Sequence, residues 1–304
     1  MRHLLTLFDI NSDELREILK LAADLKSALH EGLRQPVLSG RMLGMLFEKQ
    51  SLRTRVSFES AIAHLGGSSI FLGQEAGWGK RETVADFGRV LSEYLDVLVF
   101  RGNDHGVLAE LARHCSCPVI NGLTPNAHPC QAIADVLTIE EHCPDSPDRK
   151  VVFVGDGNNV ARSLALACAM MDTHCVVASP DGYGIDESFI QEVQTKCPGA
   201  QVELTNDPIA AVTNADAVYT DVWTSMGQES ESEVRKQRFA EFQINAKLMS
   251  HAKPDAKFLH CLPARRGEEV TDEVIDGPNS VVVKQAGNRM HAQKAILVWL
   301  LRDF

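Results

Sequence analysis

The sequence predicts an α/β protein of two domains, each a parallel sheet flanked by helices. Short apolar runs alternate with helix-like segments along the 304 residues, which is the order found in parallel βαβ units. The runs are apolar without interruption, as expected for strands that are covered on both faces. The polar segment 143–149 contains two prolines and breaks this pattern near the middle of the chain, which marks a domain boundary.

Nine apolar runs are the predicted strands. They are Met42–Phe47, Ser69–Leu72, Val97–Phe100, Pro118–Ile120, Val151–Val154, Cys175–Ala178, Ala217–Thr220, Phe258–His260 and Val281–Val283. Helices are predicted between them, and Ser12 or Asp13 is the expected cap of the first. The stretch from Pro129 to Glu141 is predicted to form one helix that bridges the two domains.

The charge balance excludes a general surface for nucleic acids. The chain has 41 acidic and 30 basic residues and a net charge of -11, so any anion must be held by a few local arginines and backbone amides. No membrane span or signal peptide is expected. The eight cysteines are scattered, and the single close pair, Cys115 and Cys117, has no matching pair that would complete a zinc site. We therefore expect reduced thiols, no metal and a cytoplasmic location.

Polar clusters come directly after six of the predicted strands. In open α/β sheets, ligands bind outside the carboxyl ends of the strands, so this placement predicts a site between the two domains. The six clusters are Ser51–Arg55, Arg101, Asn121–Leu123, Gly155–Asn159, Asp221–Trp223 and His260–Pro263.

The first cluster lies between a strand and a predicted helix over Val56–His64. Free N–H groups at a helix start, two hydroxyls (Ser51 and Thr54) and the planar guanidinium of Arg53 suit a phosphate. The alternative is a capping serine followed by solvated arginines. Arg289, expected at the start of the last helix, is a second candidate for a phosphate contact or an ordinary first-turn arginine.

Gly155-Asp-Gly157 invites a comparison with dinucleotide-binding turns. The fingerprint needs a third glycine or an alanine, where this chain has Val160. Asn158 and Asn159 fit a small polar ligand better than a nucleotide phosphate. The alternative is a tight turn between a strand and a helix, and a nicotinamide-dependent oxidoreductase stays open as a competing function.

The remaining clusters suggest carbonyl and amine chemistry. His128, at a helix start, can donate a hydrogen bond to a carbonyl oxygen, and Gln131 follows one turn later, although both also fit ordinary capping or core roles. Asp221 can pair with an ammonium group. Ser225 and Met226 could hold the rest of an amino acid with a side-chain amine, or else cap a helix and fill a core. Cys261 has three open interpretations: it contacts an amine, acts as a nucleophile, or packs as a small buried hydrophobic residue.

Together these residues resemble the aspartate/ornithine carbamoyltransferase family. The matching segments follow the family's order: FEKQSLRTRVSFE, VINGLTPNAHPCQAIADVLTI, FVGDGNNVARSL, DVWTSMGQE, HCLPARRGEEV and NRMHAQKA. The resemblance implies a carbamoyl-phosphate-binding domain over 1–142, an ornithine-binding domain over 143–288, and a last helix over 289–304 that returns to the first domain. It also implies a homotrimer, with active sites at the subunit interfaces and no cofactor.

The resemblance further implies carbamoyl transfer from carbamoyl phosphate to the side-chain amine of ornithine, giving citrulline for arginine biosynthesis. Arg101, His128 and Cys261 would act at the reacting atoms. The residues implied to bind carbamoyl phosphate are Ser51, Leu52, Arg53, Thr54, Arg101, His128, Gln131, Cys261, Leu262 and Arg289. Those implied to bind ornithine are Leu123, Asn159, Asp221, Ser225 and Met226.

Two features depart from the family pattern. Leu52 replaces a usual threonine, which predicts a weaker phosphate contact through the loss of one hydroxyl. The loop before Glu82 reads Gly77-Trp-Gly-Lys-Arg81, without the usual Gln or His that reaches a neighbouring subunit. A non-catalytic paralogue is a further alternative, although the matched motifs retain their charged residues.

Overall fold

The computed structural model describes residues 2–73, 82–144, 148–225 and 227–302. It consists of two compact units, Met1–Ile133 with Arg289–Phe304, and Ala134–Asn288. Each unit contains one parallel sheet with flanking helices, so the predicted α/β class is confirmed. The loop 77–81, with Trp78 and Lys80, lies outside the described residues. Within the described ranges, no helix has the length and apolar character needed to cross a bilayer.

The first unit is built on a four-stranded parallel sheet in the order β2-β1-β3-β4. Its strands are β1 (Met42–Phe47), β2 (Ser68–Leu72), β3 (Val97–Arg101) and β4 (Val119–Leu123). Its helices include α1 (Ser12–His30), α2 (Leu52–His64), α3 (Val84–Ser92) and α4 (His105–His114). Leu4 forms a parallel bridge with Ile120, so the N-terminal segment extends the sheet at β4.

The second unit has a five-stranded parallel sheet in the order β7-β6-β5-β8-β9. Its strands are β5 (Lys150–Val154), β6 (His174–Ala178), β7 (Val202–Thr205), β8 (Ala217–Thr220) and β9 (Lys257–His260). Alternate side chains of β5 enter two different hydrophobic clusters, Val152 and Val154 in one and Val151 and Phe153 in the other. The strand is therefore covered on both faces, which explains its uninterrupted apolar sequence.

Helices also make both chain connections between the units. The helices of the second unit are α6 (Asn159–Met170), α7 (Glu187–Lys196), α8 (Pro208–Val212), α9 (Ser232–Phe239), α10 (Ala246–Met249) and α11 (Asp272–Ile275). The helix α5 (Pro129–His142) begins in the first unit and ends in the second, and α12 (Val282–Leu301) returns the chain to the first unit. The bridging helix and the returning C-terminal helix were both predicted.

Several local predictions were wrong. The strand predicted at Val281–Val283 does not form, because α12 begins at Val282; only a single bridge joins Ser280 to Phe258. Arg289 therefore lies inside α12. The edge strand β7 was missed, since its partly exposed, mixed sequence VELT is not an apolar run. The cap of α1 is Asn11, whose side chain accepts the amide of Glu14.

The order of strands reverses once in each sheet. In the first unit the reversal lies between β1 and β3, and in the second between β5 and β8. Chains that leave neighbouring strands at such a point diverge to opposite faces, and a crevice opens at the carboxyl ends. The polar clusters that follow β1 and β3, and those that follow β5 and β8, lie at these two points.

Candidate active site

Two arginines converge on one buried threonine in the first unit. Thr54 Oγ1 accepts a hydrogen bond from Arg289 Nη2 at 2.7 Å and one from Arg101 Nη1 at 3.3 Å. All three residues are buried, and Arg289 is 235 positions away from Thr54 in the chain. We call Thr54, Arg101, His128 and Arg289 the cationic cluster.

His128 is a buried member of this cluster. Burial lowers the pKa of His128 well below its ordinary value of 6.5, and the nearby charges of Arg289 and Arg101 lower it further. The imidazole is therefore neutral at physiological pH. A neutral imidazole can donate a hydrogen bond to a carbonyl oxygen, while the two guanidinium groups supply the positive charge.

Local structure shows which groups the segment Ser51–Arg55 can offer to a ligand. The helix α2 begins at Leu52, earlier than the predicted Val56, so Arg53 and Thr54 lie in its first turn. Ser51 occupies the N-cap position, but its side chain makes no capping hydrogen bond. The first-turn N–H groups of a helix have no intrahelical acceptors, and the helix dipole favours an anion there.

The two arginines of the segment have different surroundings. The guanidinium of Arg55 lies 4.1 Å from the ring centre of Phe71, and its Nε donates to Glu59 at 2.9 Å. Arg55 is thus held along the outer face of α2. Arg53 is half-buried, and Leu52 is 76% exposed, so the leucine side chain contributes little packing.

A carboxylate and a thiol meet in the second unit. Asp221 Oδ1 accepts from the Cys261 thiol at 3.0 Å and from the amide of Val222 at 2.8 Å. Asp221 Oδ2 accepts from Asn158 Nδ2 at 2.9 Å. We call Asp221, Cys261 and Asn158 the carboxylate–thiol cluster. It comes from the carboxyl ends of β5, β8 and β9, and Asn158 also caps α6 through its Oδ1.

An arginine anchors the loop that follows Asp221. Arg235, on α9, donates to Asp156 at 2.9 Å and to the carbonyl of Trp223 at 3.0 Å through the same Nη1. Its Nε donates to Glu231 at 2.9 Å. The loop carrying Ser225 is therefore fixed, through Trp223, to the segment that follows β5.

The backbone around Cys261 takes an unusual turn. Leu262 has a φ of 57°, in the left-handed region, which costs a non-glycine residue roughly 1–2 kcal/mol. The amide of Leu262 donates to Nδ1 of His260 at 2.8 Å, and Nε2 of His260 lies 3.1 Å from Glu269 Oε1. Asp221, His260 and Cys261 each offer one ligand atom. These three atoms lie within 4.8 Å of one another, so they could hold a metal ion. Both imidazole nitrogens are engaged, so such an ion would have to displace one of these contacts.

Six of the fifteen residues predicted to contact ligands form two groups, each within its own unit. Arg101, His128 and Arg289 form one group with Thr54, and Asp221 and Cys261 form another. Gln131 is buried in the first turn of α5, and Leu123 ends β4, where its carbonyl accepts the amide of Gly102. Met226 lies outside the described residues.

Gly157 has a packing role in place of dinucleotide binding. A Cβ atom added there would lie 2.4 Å from the carbonyl carbon of Gly184 and 2.5 Å from the amide nitrogen of Ile185. The Gly157 amide donates to the carbonyl of Tyr183 at 2.7 Å. The loop 183–185 thus covers the face of the turn that a pyrophosphate would need to approach.

Sequence reasoning missed the contacts of two residues. It considered Asn158 and Asn159 for a small polar ligand and gave only Asn159 an implied role in ornithine binding, and it did not foresee that Asn158 contacts Asp221. The position of Asn158 before α6 was a usable signal, since a capping side chain can also point toward the strand ends. Glu269 gave no signal, because it follows a charged run that resembles a solvated surface, yet it is fully buried.

Comparisons with known proteins agree with this geometry. The family model described as the carbamoyl-P binding domain of aspartate/ornithine carbamoyltransferase matches residues 2–141, and the Asp/Orn binding domain model matches 147–300. The chain is 50% identical over 303 residues to the ornithine carbamoyltransferase of Bacillus subtilis, covering 99% of this chain and 94% of that protein. It is equally identical to the anabolic ornithine carbamoyltransferase of Pyrococcus furiosus, covering 99% and 96%.

Solved structures of ornithine carbamoyltransferases are also similar to this chain. Ornithine carbamoyltransferase from Pyrococcus furiosus superposes with a TM-score of 0.96 at 49% identity, covering 100% of this chain and 98% of that one. The anabolic enzyme from Campylobacter jejuni gives a TM-score of 0.94 at 36% identity, with both chains covered completely. Two family models that together match nearly the whole chain, and these full-length relatives, show that the chain belongs to the aspartate/ornithine carbamoyltransferase family.

Proposed function

We propose that this protein transfers the carbamoyl group of carbamoyl phosphate to the side-chain amine of L-ornithine, giving L-citrulline and phosphate for arginine biosynthesis. The observation that carries the proposal is the cationic cluster, in which two buried arginines share Thr54 and flank a neutral His128. Such a group can hold a dianion and still present an uncharged donor to its carbonyl oxygen.

Carbamoyl phosphate binds first in this proposal. Its phosphate lies on the first turn of α2, held by Ser51, Arg53, Thr54 and the backbone amide of Leu52. Arg101 and Arg289 add charge-assisted hydrogen bonds to phosphate oxygens. His128 and Arg101 polarise the carbamoyl oxygen and stabilise the negative charge of the tetrahedral intermediate, where one donor is worth about 10²–10³-fold in rate.

The carboxylate–thiol cluster binds the ornithine side chain. Asp221 attracts the ammonium group, and Cys261 helps to orient it. Ser225, Met226, Asn159 and Leu123 are proposed contacts to the rest of the amino acid, and Gln131 and Leu262 to the carbamoyl group. The amine must lose a proton before it attacks, and its free pKa is about 10, so turnover should rise with pH.

The chemistry is balanced without a cofactor. The neutral amine attacks the carbamoyl carbon, the C–O bond to phosphate breaks, and the amine proton leaves with the phosphate. Holding two substrates in register can lower the barrier by about 7–11 kcal/mol, which is available without a metal or an electron carrier.

One assay separates the candidate functions. The purified chain is incubated with carbamoyl phosphate and with ornithine, N-acetylornithine, putrescine, aspartate or no acceptor, and both phosphate and the carbamoylated product are measured. We expect phosphate release only with ornithine, matched by an equal amount of citrulline. Carbamoylation of another acceptor in preference to ornithine would contradict the assignment, and the absence of any product would favour a non-catalytic paralogue.

We also propose the finer features that the family implies. The chain forms a homotrimer in the cytoplasm, with a carbamoyl-phosphate domain over 1–142 and an ornithine domain over 143–288. Sedimentation at micromolar concentration should give a particle of three 33.4 kDa chains. A monomer that retains full turnover would exclude a site completed by a neighbouring subunit.

A further inference from the structure

A fully buried histidine and glutamate form a pair next to Cys261, because the histidine, His260, directly precedes Cys261 in the chain. The side chains of His260 and Glu269 are both 0% exposed, and neither is assigned a role in the proposed chemistry. Glu269 Oε1 also accepts the amide of Arg265 at 2.5 Å. A carboxylate that is removed from water needs such donors, so Glu269 fixes both the imidazole and the chain that returns past it.

The contacts define which ring nitrogen carries the proton. Nδ1 of His260 faces the N–H of Leu262 at 2.8 Å, so Nδ1 must be the acceptor and carry no proton. Nε2 faces the carboxylate of Glu269 at 3.1 Å, so Nε2 must be the donor. The carboxylate thus selects the tautomer that can accept the Leu262 amide.

The hydrogen bond from the Leu262 amide to His260 Nδ1 constrains Cys261, the residue that lies between them in the chain. The imidazole of His260 reaches over Cys261 to the amide of Leu262, which closes a short loop around the cysteine. The backbone amide of His260 is held in turn by Gln285 Oε1 at 2.9 Å, and Gln285 Nε2 donates to Asp135 at 2.6 Å. Both sides of the Cys261 backbone are therefore fixed from the buried interior.

We infer that His260 is a positioning residue, which uses Nδ1 to hold the left-handed turn at Leu262 and so aims the Cys261 thiol at Asp221, while Glu269 fixes its tautomer. The inference rests on the proposed carbamoyl transfer, because the loss it predicts is a loss of turnover. The substrate itself is not touched by His260 in this account.

Two substitutions separate the nitrogens of His260. The amide oxygen of asparagine lies as many bonds from Cβ as Nδ1 does, so His260→Asn retains an acceptor for Leu262 and loses the contact with Glu269. The amide nitrogen of glutamine matches Nε2 in the same way, so His260→Gln retains the donor to Glu269 and loses the acceptor. Glu269→Gln preserves an oxygen acceptor and removes only the charge.

The expected result is an asymmetric loss of kcat. A displacement of about 1 Å at a reacting group costs about 100-fold, so His260→Gln should lower kcat by about that factor and His260→Asn by less than about tenfold. The dissociation constant of carbamoyl phosphate should change far less than kcat for both, because the cationic cluster that holds the phosphate is unchanged and only the proposed contact of Leu262 with the carbamoyl group is disturbed. Alkylation of Cys261 by iodoacetamide, read by peptide mass, should change in rate for His260→Gln and stay near that of the wild-type protein for His260→Asn.

Other outcomes would overturn the inference. Equal losses of kcat in the two variants, in proportion to their losses of thermal stability, would show a purely structural role. Unchanged kcat in His260→Gln would exclude the acceptor role. If the variants do not fold, ¹⁵N NMR of histidine-labelled wild-type protein still decides, because a proton on Nδ1 of His260 would contradict the assignment. A wild-type protein that forms no citrulline would instead reject the proposed function and leave the tautomer result standing.

Discussion

The cationic cluster and the carboxylate–thiol cluster occupy equivalent places in two similar sheets but have opposite charge. Each lies at the carboxyl ends of the strands where the strand order reverses, beside the start of a helix. At the start of α2 the neighbouring side chains are arginines, whereas at the start of α6 Asn158 binds the carboxylate of Asp221. In the proposed function, the fold provides the position, and a few side chains decide whether it receives an anion or an amine.

The two clusters also differ in how they are assembled. Arg289 reaches Thr54 from the other end of the chain, through α12. Asn158, Asp221 and Cys261 all follow strands of one sheet directly. The phosphate half therefore depends on Arg289, which α12 brings back to the first unit, whereas the amine half depends on α12 through the contact of Gln285 with the backbone of His260.

Asp221→Asn is the strongest way to break the comparison. It removes the negative charge of the carboxylate–thiol cluster. Loss of one partner of a buried charge pair can weaken binding by about 1,000-fold. We expect kcat/KM for ornithine to fall by that order. Binding of carbamoyl phosphate, measured by calorimetry, should hardly change. Asp186→Asn, in an exposed ion pair with Arg162, is the control in the same unit.

Arg53→Ala tests the opposite half. Loss of a charge-assisted hydrogen bond and a positive charge should raise the dissociation constant of carbamoyl phosphate about 100-fold, with the fold intact. Arg55→Ala is a matched control on the same helix, because Arg55 contacts Phe71 and Glu59. Equal effects of the two substitutions would show that only the net charge of α2 matters, and unchanged affinity in Arg53→Ala would remove Arg53 from the site.

The burial of His128, reinforced by the two neighbouring arginines, predicts a dependence of stability on pH. The pKa of His128 in the folded protein lies well below 6.5, so below pH 6.5 the unfolded chain binds a proton that the folded one does not. This residue therefore lowers the free energy of unfolding as pH falls from 6.5 toward its folded pKa, by up to about 1.4 kcal/mol per pH unit. Its contribution above pH 6.5 is constant.

Denaturant titrations at several pH values check the sign. His128→Gln should show a shallower loss of stability between pH 6.5 and 5 than the wild-type protein, since glutamine does not titrate. The comparison between the two proteins cancels the contributions of His3, His64 and His105, whose pKa values burial also lowers. If stability falls with the same slope in both proteins, the folded protein protonates His128 over the same pH range as the unfolded chain, which would contradict the lowered pKa.

Leu52→Ser is the smallest change and sharpens the account of the phosphate contact. The leucine side chain is mostly exposed, and the position offers its backbone amide in either case. One added neutral hydroxyl is worth about 1 kcal/mol at most, so the affinity for carbamoyl phosphate should rise no more than about fivefold. Weaker binding, measured by the same calorimetry, would mean that the leucine itself contacts the substrate.

Much of the fold was readable in the sequence because both sheets are parallel and covered on both faces. Eight of the nine strands in the described part of the chain stand out as apolar runs, and turns and helices follow them in order. The edge strand β7 has no such signal, since its four residues are a mixture of apolar and polar side chains and none of them is buried. Val281–Val283 was misassigned because a short apolar run has no periodicity that distinguishes a strand from a helix start.

The place of a candidate residue in the fold was predictable where a motif follows its own strand, as with Arg101 and Asp221. The partners of those residues were less accessible. Glu269 lies in a charged segment, and its burial depends on tertiary contacts with His260 that no local pattern encodes. The same holds for Arg289, whose contact with Thr54 joins distant parts of the chain.

A crystal structure of the protein with carbamoyl phosphate is the most direct test of the central claim that charge selects between two similar helix starts. The account predicts phosphate oxygens within hydrogen-bonding distance of Arg53 and the first-turn amides of α2, with the carbamoyl oxygen at His128. Phosphate at the start of α6, beside Asn158 and Gly157, would contradict it.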